Sequence, residues 1–142
     1  MPYKIYFRIL IFISLISFQS CCLFGTKNTS LGNGFKISEY SHKELQIMYC
    51  YDNCCNSGLT VIPETLIAYN YDKNWIIAKS DSTYYNGQND FAYWVFKKDT
   101  TSSKKDMSDR IKANLIGPLD STTFYRVISE NNINLQLITY LK

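Results

Sequence analysis

Histidine is almost missing from this chain: His42 is the only one in 142 residues. Ser-His-Asp and Cys-His arrangements would have to use it, because the imidazole is the base that activates the nucleophile. It sits in a polar Ser41-His42-Lys43 link, with no nucleophile placed beside it by the order of residues, and reads as a surface histidine. An excess of one charge is missing too. Fifteen basic and twelve acidic residues leave a net charge of +3, and Lys4 and Arg8 account for two of the three. That is far from the basic field that nucleic-acid binding requires. There is no Gly-rich phosphate cradle, no metal-binding run of acids, and no repeat of solenoid or propeller type. Glu39, Glu44, Glu64 and Asp72 qualify for paired-carboxylate chemistry only in the sense that any acid would. These absences point to a non-enzymatic protein with no cofactor, no metal and no nucleic-acid partner.

Long apolar runs are also lacking. Ile9 to Phe18 is apolar except for Ser14 and Ser17, and ten helical residues reach only about 15 Å, half of a bilayer's hydrocarbon core. With Lys4 and Arg8 before it and Gln19-Ser20-Cys21-Cys22 after it, the run has the layout of a secretory signal. A cysteine directly after a small residue resembles the bacterial lipobox, although Phe18 stands where such signals usually carry leucine. Cleavage before Cys21 is favoured over cleavage before Cys22, since it leaves Ser20 at the last signal position. Cys21 is thus expected to carry fatty acyl groups such as palmitate, with the membrane as its first partner. One chain binds only marginally, and each buried methylene adds about 0.8 kcal/mol. The expected location is the bacterial cell envelope, the outer membrane rather than the inner.

Residues 1–20 are accordingly read as a lipoprotein signal peptide, 21–33 (CCLFGTKNTSLGN) as a flexible tether, and 34–142 as a single globular domain. Alternation of period two marks strands at Phe35–Glu39 and Leu45–Tyr49. Residues 52–58 are turn chemistry. Leu59–Ile62 must stop at Pro63 or lie at an edge, because proline cannot donate to a ladder. Thr65–Tyr71 and Trp75–Lys79, joined by Asp72-Lys73-Asn74, form the clearest hairpin, and Phe91–Phe96 reads as a buried strand. Lys97-Lys98 and Lys104-Lys105 flank what reads as a solvated loop. Ile111–Ile116 is ambiguous and is expected to end at Gly117-Pro118. Asp120 or Ser121 can cap a helix whose Phe124, Val127 and Ile128 share one face, with Asn131-Asn132 closing it. Leu135, Leu137 and Tyr140 point to a last short strand. The expected fold is α+β: an antiparallel β-meander of five or six strands with one C-terminal helix packed on the sheet.

What is abundant is tyrosine, with ten of twelve after residue 20. Aromatic rings favour pleated surfaces, so most should sit half-buried on the sheet; some could form an exposed platform for a glycan or peptide. Cysteine is the other reactive stock. With Cys21 taken by lipid, Cys50 at a strand end and Cys54 or Cys55 in the next turn can reach the roughly 4.4–6.8 Å Cα separation of a disulfide, and an exported protein keeps such bonds. Cys50–Cys54 is the preferred pairing and Cys50–Cys55 the alternative. A zinc site of His42, Cys50, Cys54 and Cys55 lacks the spacing of a knuckle or ribbon.

The stretch TVIPETLIAYNYDKNWIIAKS (Thr60–Ser80), followed by YWVFKK (Tyr93–Lys98) and IGPL (Ile116–Leu119), resembles small lipoproteins of unknown function from Bacteroidetes-type bacteria. The resemblance implies an envelope lipoprotein and transfers no catalytic residue; the cysteine-rich turn at 50–55 departs from it. The expected function is a membrane-anchored binding or structural module with an envelope protein or glycan as ligand. The rival expectation is a small periplasmic inhibitor or immunity protein.

Overall fold

The computed structural model describes residues 28–40, 44–53, 55, 57–63, 65–81, 90–98 and 106–140. Within them β1 (Asn28–Gly32), β2 (Phe35–Tyr40), β3 (Glu44–Cys50) and β4 (Gly58–Ile62) form an antiparallel meander in that order. A second antiparallel sheet comprises β5 (Thr65–Tyr71), β6 (Trp75–Asp81), β7 (Phe91–Lys97), β8 (Leu115–Leu119) and β9 (Ile138–Thr139), in the order β8-β7-β6-β5-β9. Helix α1 (Met107–Asn114) precedes β8, and α2 (Ser121–Glu130) follows it.

The architecture is therefore sheet-rich α+β, with two corrections to the sequence reading: among the described residues, two sheets replace one meander, and two helices replace one. Pro63 is where the sheets part. It follows the edge strand β4, and the chain resumes as β5 in the other layer. Alternation predicts each hairpin locally, but it carries no information on which hairpins share a sheet.

The two sheets bury their apolar faces against each other. Leu31, Phe35, Ile37, Leu45, Ile47 and Ile62 of the first meet Leu66, Ile76, Ala78, Trp94 and Phe96 of the second, and Met107 and Ile111 of α1 join them. The alternate residues Ile77 and Val95 point to the opposite face of the second sheet, which Phe124 and Val127 of α2 cover with Ile133. This is the expected packing of the helix on a sheet. Asp120 caps it, its side chain accepting from Thr123 N at 2.9 Å and Thr123 Oγ1 at 2.8 Å.

Two boundaries also move. Leu31 is fully buried and Thr29 pairs with Ile37, so residues 28–33 of the stretch expected as a tether (21–33) belong to the first sheet and its turn, and residues 21–27 lie outside the described residues. The Gly32-Asn33-Gly34 turn, all at positive φ, was the available signal for that hairpin. Further on, β8 runs through Gly117-Pro118 instead of ending there. As an edge strand it tolerates the missing N–H. A Cβ at Gly117 would lie 2.6 Å from Trp94 Cε3 and 2.9 Å from Tyr93 O, so only glycine lets β8 approach β7 this closely.

Candidate binding groove

A shallow groove of about 210 Å³ opens beside the outer edge of β5, lined by Tyr69, Asn70, Tyr71, Ile138, Thr139 and Tyr140. A one-residue bulge builds it. Leu66 pairs with Ser80 but Ala68 pairs with Lys79, so Ile67 is the extra residue of β5. Beyond the bulge, Tyr69 pairs with Ala78 and Tyr71 with Ile76, both of which face the first sheet. Regular alternation from Leu66 would have put Ala68 and Asn70 on that face and turned both tyrosines away. The carbonyl of Ile67 accepts from Tyr140 N at 3.0 Å, which seats Tyr140 opposite Tyr69, their ring centroids 6.3 Å apart.

Asn70 closes the floor. Its Nδ2 donates to Gln136 O at 2.7 Å, its Oδ1 accepts from Tyr71 N at 2.8 Å, and the incoming chain is thereby tied to β5. Burial pushes the Tyr69 phenol above its ordinary range, and the neighbouring Tyr140 and Tyr71 add to the effect. The groove thus presents phenol hydroxyls, a carboxamide, a hydroxyl and the exposed side chain of Ile138 (61% exposed). No acid, imidazole or thiol lines it; its polar groups are phenols, an amide and a hydroxyl, which suit hydrogen bonding to a ligand.

Lys98 supports it from behind. Its Nζ donates to Leu31 O and to Asp72 O (2.5 Å) and lies 4.8 Å from the centroid of the Tyr71 ring. One ammonium thus joins β1 to the β5–β6 turn across the two sheets. Although it flanks what reads as a solvated loop, Lys98 is only 6% exposed. Burial lowers its pKa, and the Asp72 carboxylate partly offsets this. The turn it grips is set by Asp72, whose Oδ1 accepts from Asn74 N and Trp75 N, both at 2.7 Å.

The residues singled out in the sequence lie elsewhere. Cys21, Cys22, His42, Cys54, Glu64, Lys104 and Lys105 fall outside the described residues. Cys50 is bonded to Cys55, Cα–Cα 4.8 Å, which corrects the preferred Cys50–Cys54 pairing in favour of the alternative. The reason is local: Cys55 takes a positive φ of 57° while its N–H donates to Asp52 O, and the chain doubles back toward Cys50. Glu39 and Glu44 lie on the first sheet, whereas Asp72 holds a turn of the second. Among the described residues no group of three His, Cys, Asp or Glu side chains gathers where it could hold a metal. No described helix is long and apolar enough to cross a membrane. The groove tyrosines were visible only as strand residues; nothing in TLIAYNY announces the bulge.

No family model, curated protein or solved structure matches this chain.

Proposed function

We propose that this protein is a lipid-anchored lipoprotein of a bacterial cell envelope, held by acyl groups on Cys21, whose domain is a non-enzymatic binding module working through the Tyr69–Tyr71–Tyr140 groove. The observation that carries the binding reading is the groove's inventory: aromatic faces and uncharged hydrogen-bonding groups, with no acid or base lining it. Support for the anchor comes from the basic start, short apolar run and Ser20-Cys21 junction.

The test has two parts, both on the full chain in cells. Mass spectrometry of the recovered protein should find Cys21 acylated and N-terminal; an unmodified thiol there removes the anchor. A photo-crosslinking residue at position 71 should form an adduct with an envelope component. The same residue at Thr60, exposed on the first sheet, should not. Equal labelling from both positions would overturn the groove as the working surface. An adduct confined to one secreted enzyme would move the reading to an inhibitor.

A further inference from the structure

We infer that the groove is a saccharide site, taking one ring of a neutral polysaccharide that passes across it. This rests on the binding-module reading and names the ligand of the same groove. The first argument is charge. No lining side chain is an acid or a base of the Lys or Arg type, and Tyr69 is held protonated by burial. Lys98, the cation over Tyr71, is 6% exposed with its ammonium turned to the Leu31 and Asp72 carbonyls, and it does not line the groove.

The second argument is amphipathic matching. A pyranose has an apolar C–H face and an edge of hydroxyls that both donate and accept. Tyrosine has the same division: a ring face that buries apolar area and a hydroxyl that bonds in either sense. Tyr71 is 39% exposed while Tyr69 and Tyr140 are half-buried, which offers ring surface to a C–H face. The Thr139 hydroxyl and the Asn70 amide supply hydroxyl partners; Asn70 is already fixed by Gln136 O and Tyr71 N, so its remaining capacity is oriented in advance.

The third argument disfavours an extended peptide. Strand addition needs an open ladder. The edge of β5 is already taken by β9 through Ala68↔Thr139 and Tyr69↔Ile138, and β9 itself offers only two residues. At about 210 Å³ the groove is smaller than the roughly 300–1,000 Å³ of enclosed small-molecule sites. That suits a single ring of a longer chain.

The experiment is affinity electrophoresis of the detergent-solubilised full chain in native gels cast with a neutral glucan, mannan or xylan, or with anionic alginate. At least one neutral polysaccharide should retard the protein. Tyr71→Ala, and Thr139→Arg (which fills the groove from its solvent side), should each raise the dissociation constant about tenfold or more. Tyr125→Ala, exposed on α2 away from the groove residues, should stay within about twofold. Circular dichroism confirms that each variant is folded. Retardation by alginate alone, by no neutral polysaccharide, or undiminished from the wild type in both groove variants would overturn the saccharide assignment. A protein adduct from position 71 in cells together with no polysaccharide binding would overturn the ligand class and leave the binding-module reading in place.

Discussion

Two tyrosine clusters in this molecule are built from the same side chain and do opposite things. In the closed cluster, Phe35 meets Tyr49 edge-on at 5.2 Å, Tyr49 meets Tyr51 at 5.7 Å, and Phe35 packs on Phe96 of the second sheet at 4.9 Å. Tyr49 lies so near Gly34 that an added Cβ would be 2.8 Å from Tyr49 Cε2. In the open cluster, Tyr69 and Tyr140 stand 6.3 Å apart at 37° and border a groove. The difference lies in what covers the rings. Phe35 has the opposing sheet over it; Tyr71 has the Lys98 ammonium over its ring and water beyond. Aromatic content therefore signals a pleated core, and only the arrangement around each ring separates packing from recognition.

The largest effect should come from breaking the closed cluster. Phe35 is 1% exposed, and Phe35→Ala should cost about 3–5 kcal/mol in urea denaturation. Tyr71→Ala should cost clearly less; equal losses would mean that the open cluster is also a packing element. Next is the bridge beside the closed cluster. Replacing Cys50 and Cys55 together by serine opens a short loop and should remove about 2 kcal/mol, with groove binding unchanged. Lys98→Met sharpens the comparison from the groove side. It leaves the Leu31 and Asp72 carbonyls without their donor and should cost about 1–3 kcal/mol. Groove affinity should fall with it, because Tyr71 loses its support; unchanged affinity would show that Tyr71 is positioned without Lys98.

Alkaline pH separates the two groups flanking Tyr71. Lys98 sits below its ordinary 10.5 through burial. Its contribution is present above the unfolded value and lost as pH falls through the folded one. Tyr69 sits above its ordinary 10.0, so its contribution is present below that value and lost as pH rises through the folded one. Stability curves from about pH 8 to about pH 11 should therefore respond in opposite senses to the two variants. Tyr69→Phe should retain more stability at the alkaline end, and Lys98→Met should lose less on going down. Parallel curves would contradict the assignment. The smallest effect belongs to Asp120, held below its ordinary 3.8 chiefly by the Thr123 N–H. That stabilisation is present above the unfolded value and lost as pH falls through the folded one, so Asp120→Ala should slightly lower the melting temperature at neutral pH and flatten the acid limb.

Much of the secondary structure was legible. Strands at 35–40, 44–50, 58–62, 65–71, 75–81 and 91–97 lie where alternation and turn residues put them, and Asp120 caps the helix whose Phe124 and Val127 are buried. Short elements were harder to read. Strand β1 has one buried side chain in five, too few for a periodicity, and β9 has only two residues. The 111–116 stretch holds the end of α1 and the start of β8, so a single reading of it could not succeed. The groove was legible only as a tyrosine surplus.

Local chemistry along the chain settled the hairpins, the stop at Pro63, the cap at Asp120 and the presence of cysteines near enough to bond, because each depends on residues within a turn or two of one another. Tertiary structure alone decided that β4 and β5 part into separate sheets, that Lys98 turns inward to grip β1, and that the bulge at Ile67 brings Tyr69 and Tyr71 to one groove with Tyr140. Those outcomes follow from how two faces fill the space between them, and a one-residue change of register, invisible in composition, reverses which side chains meet.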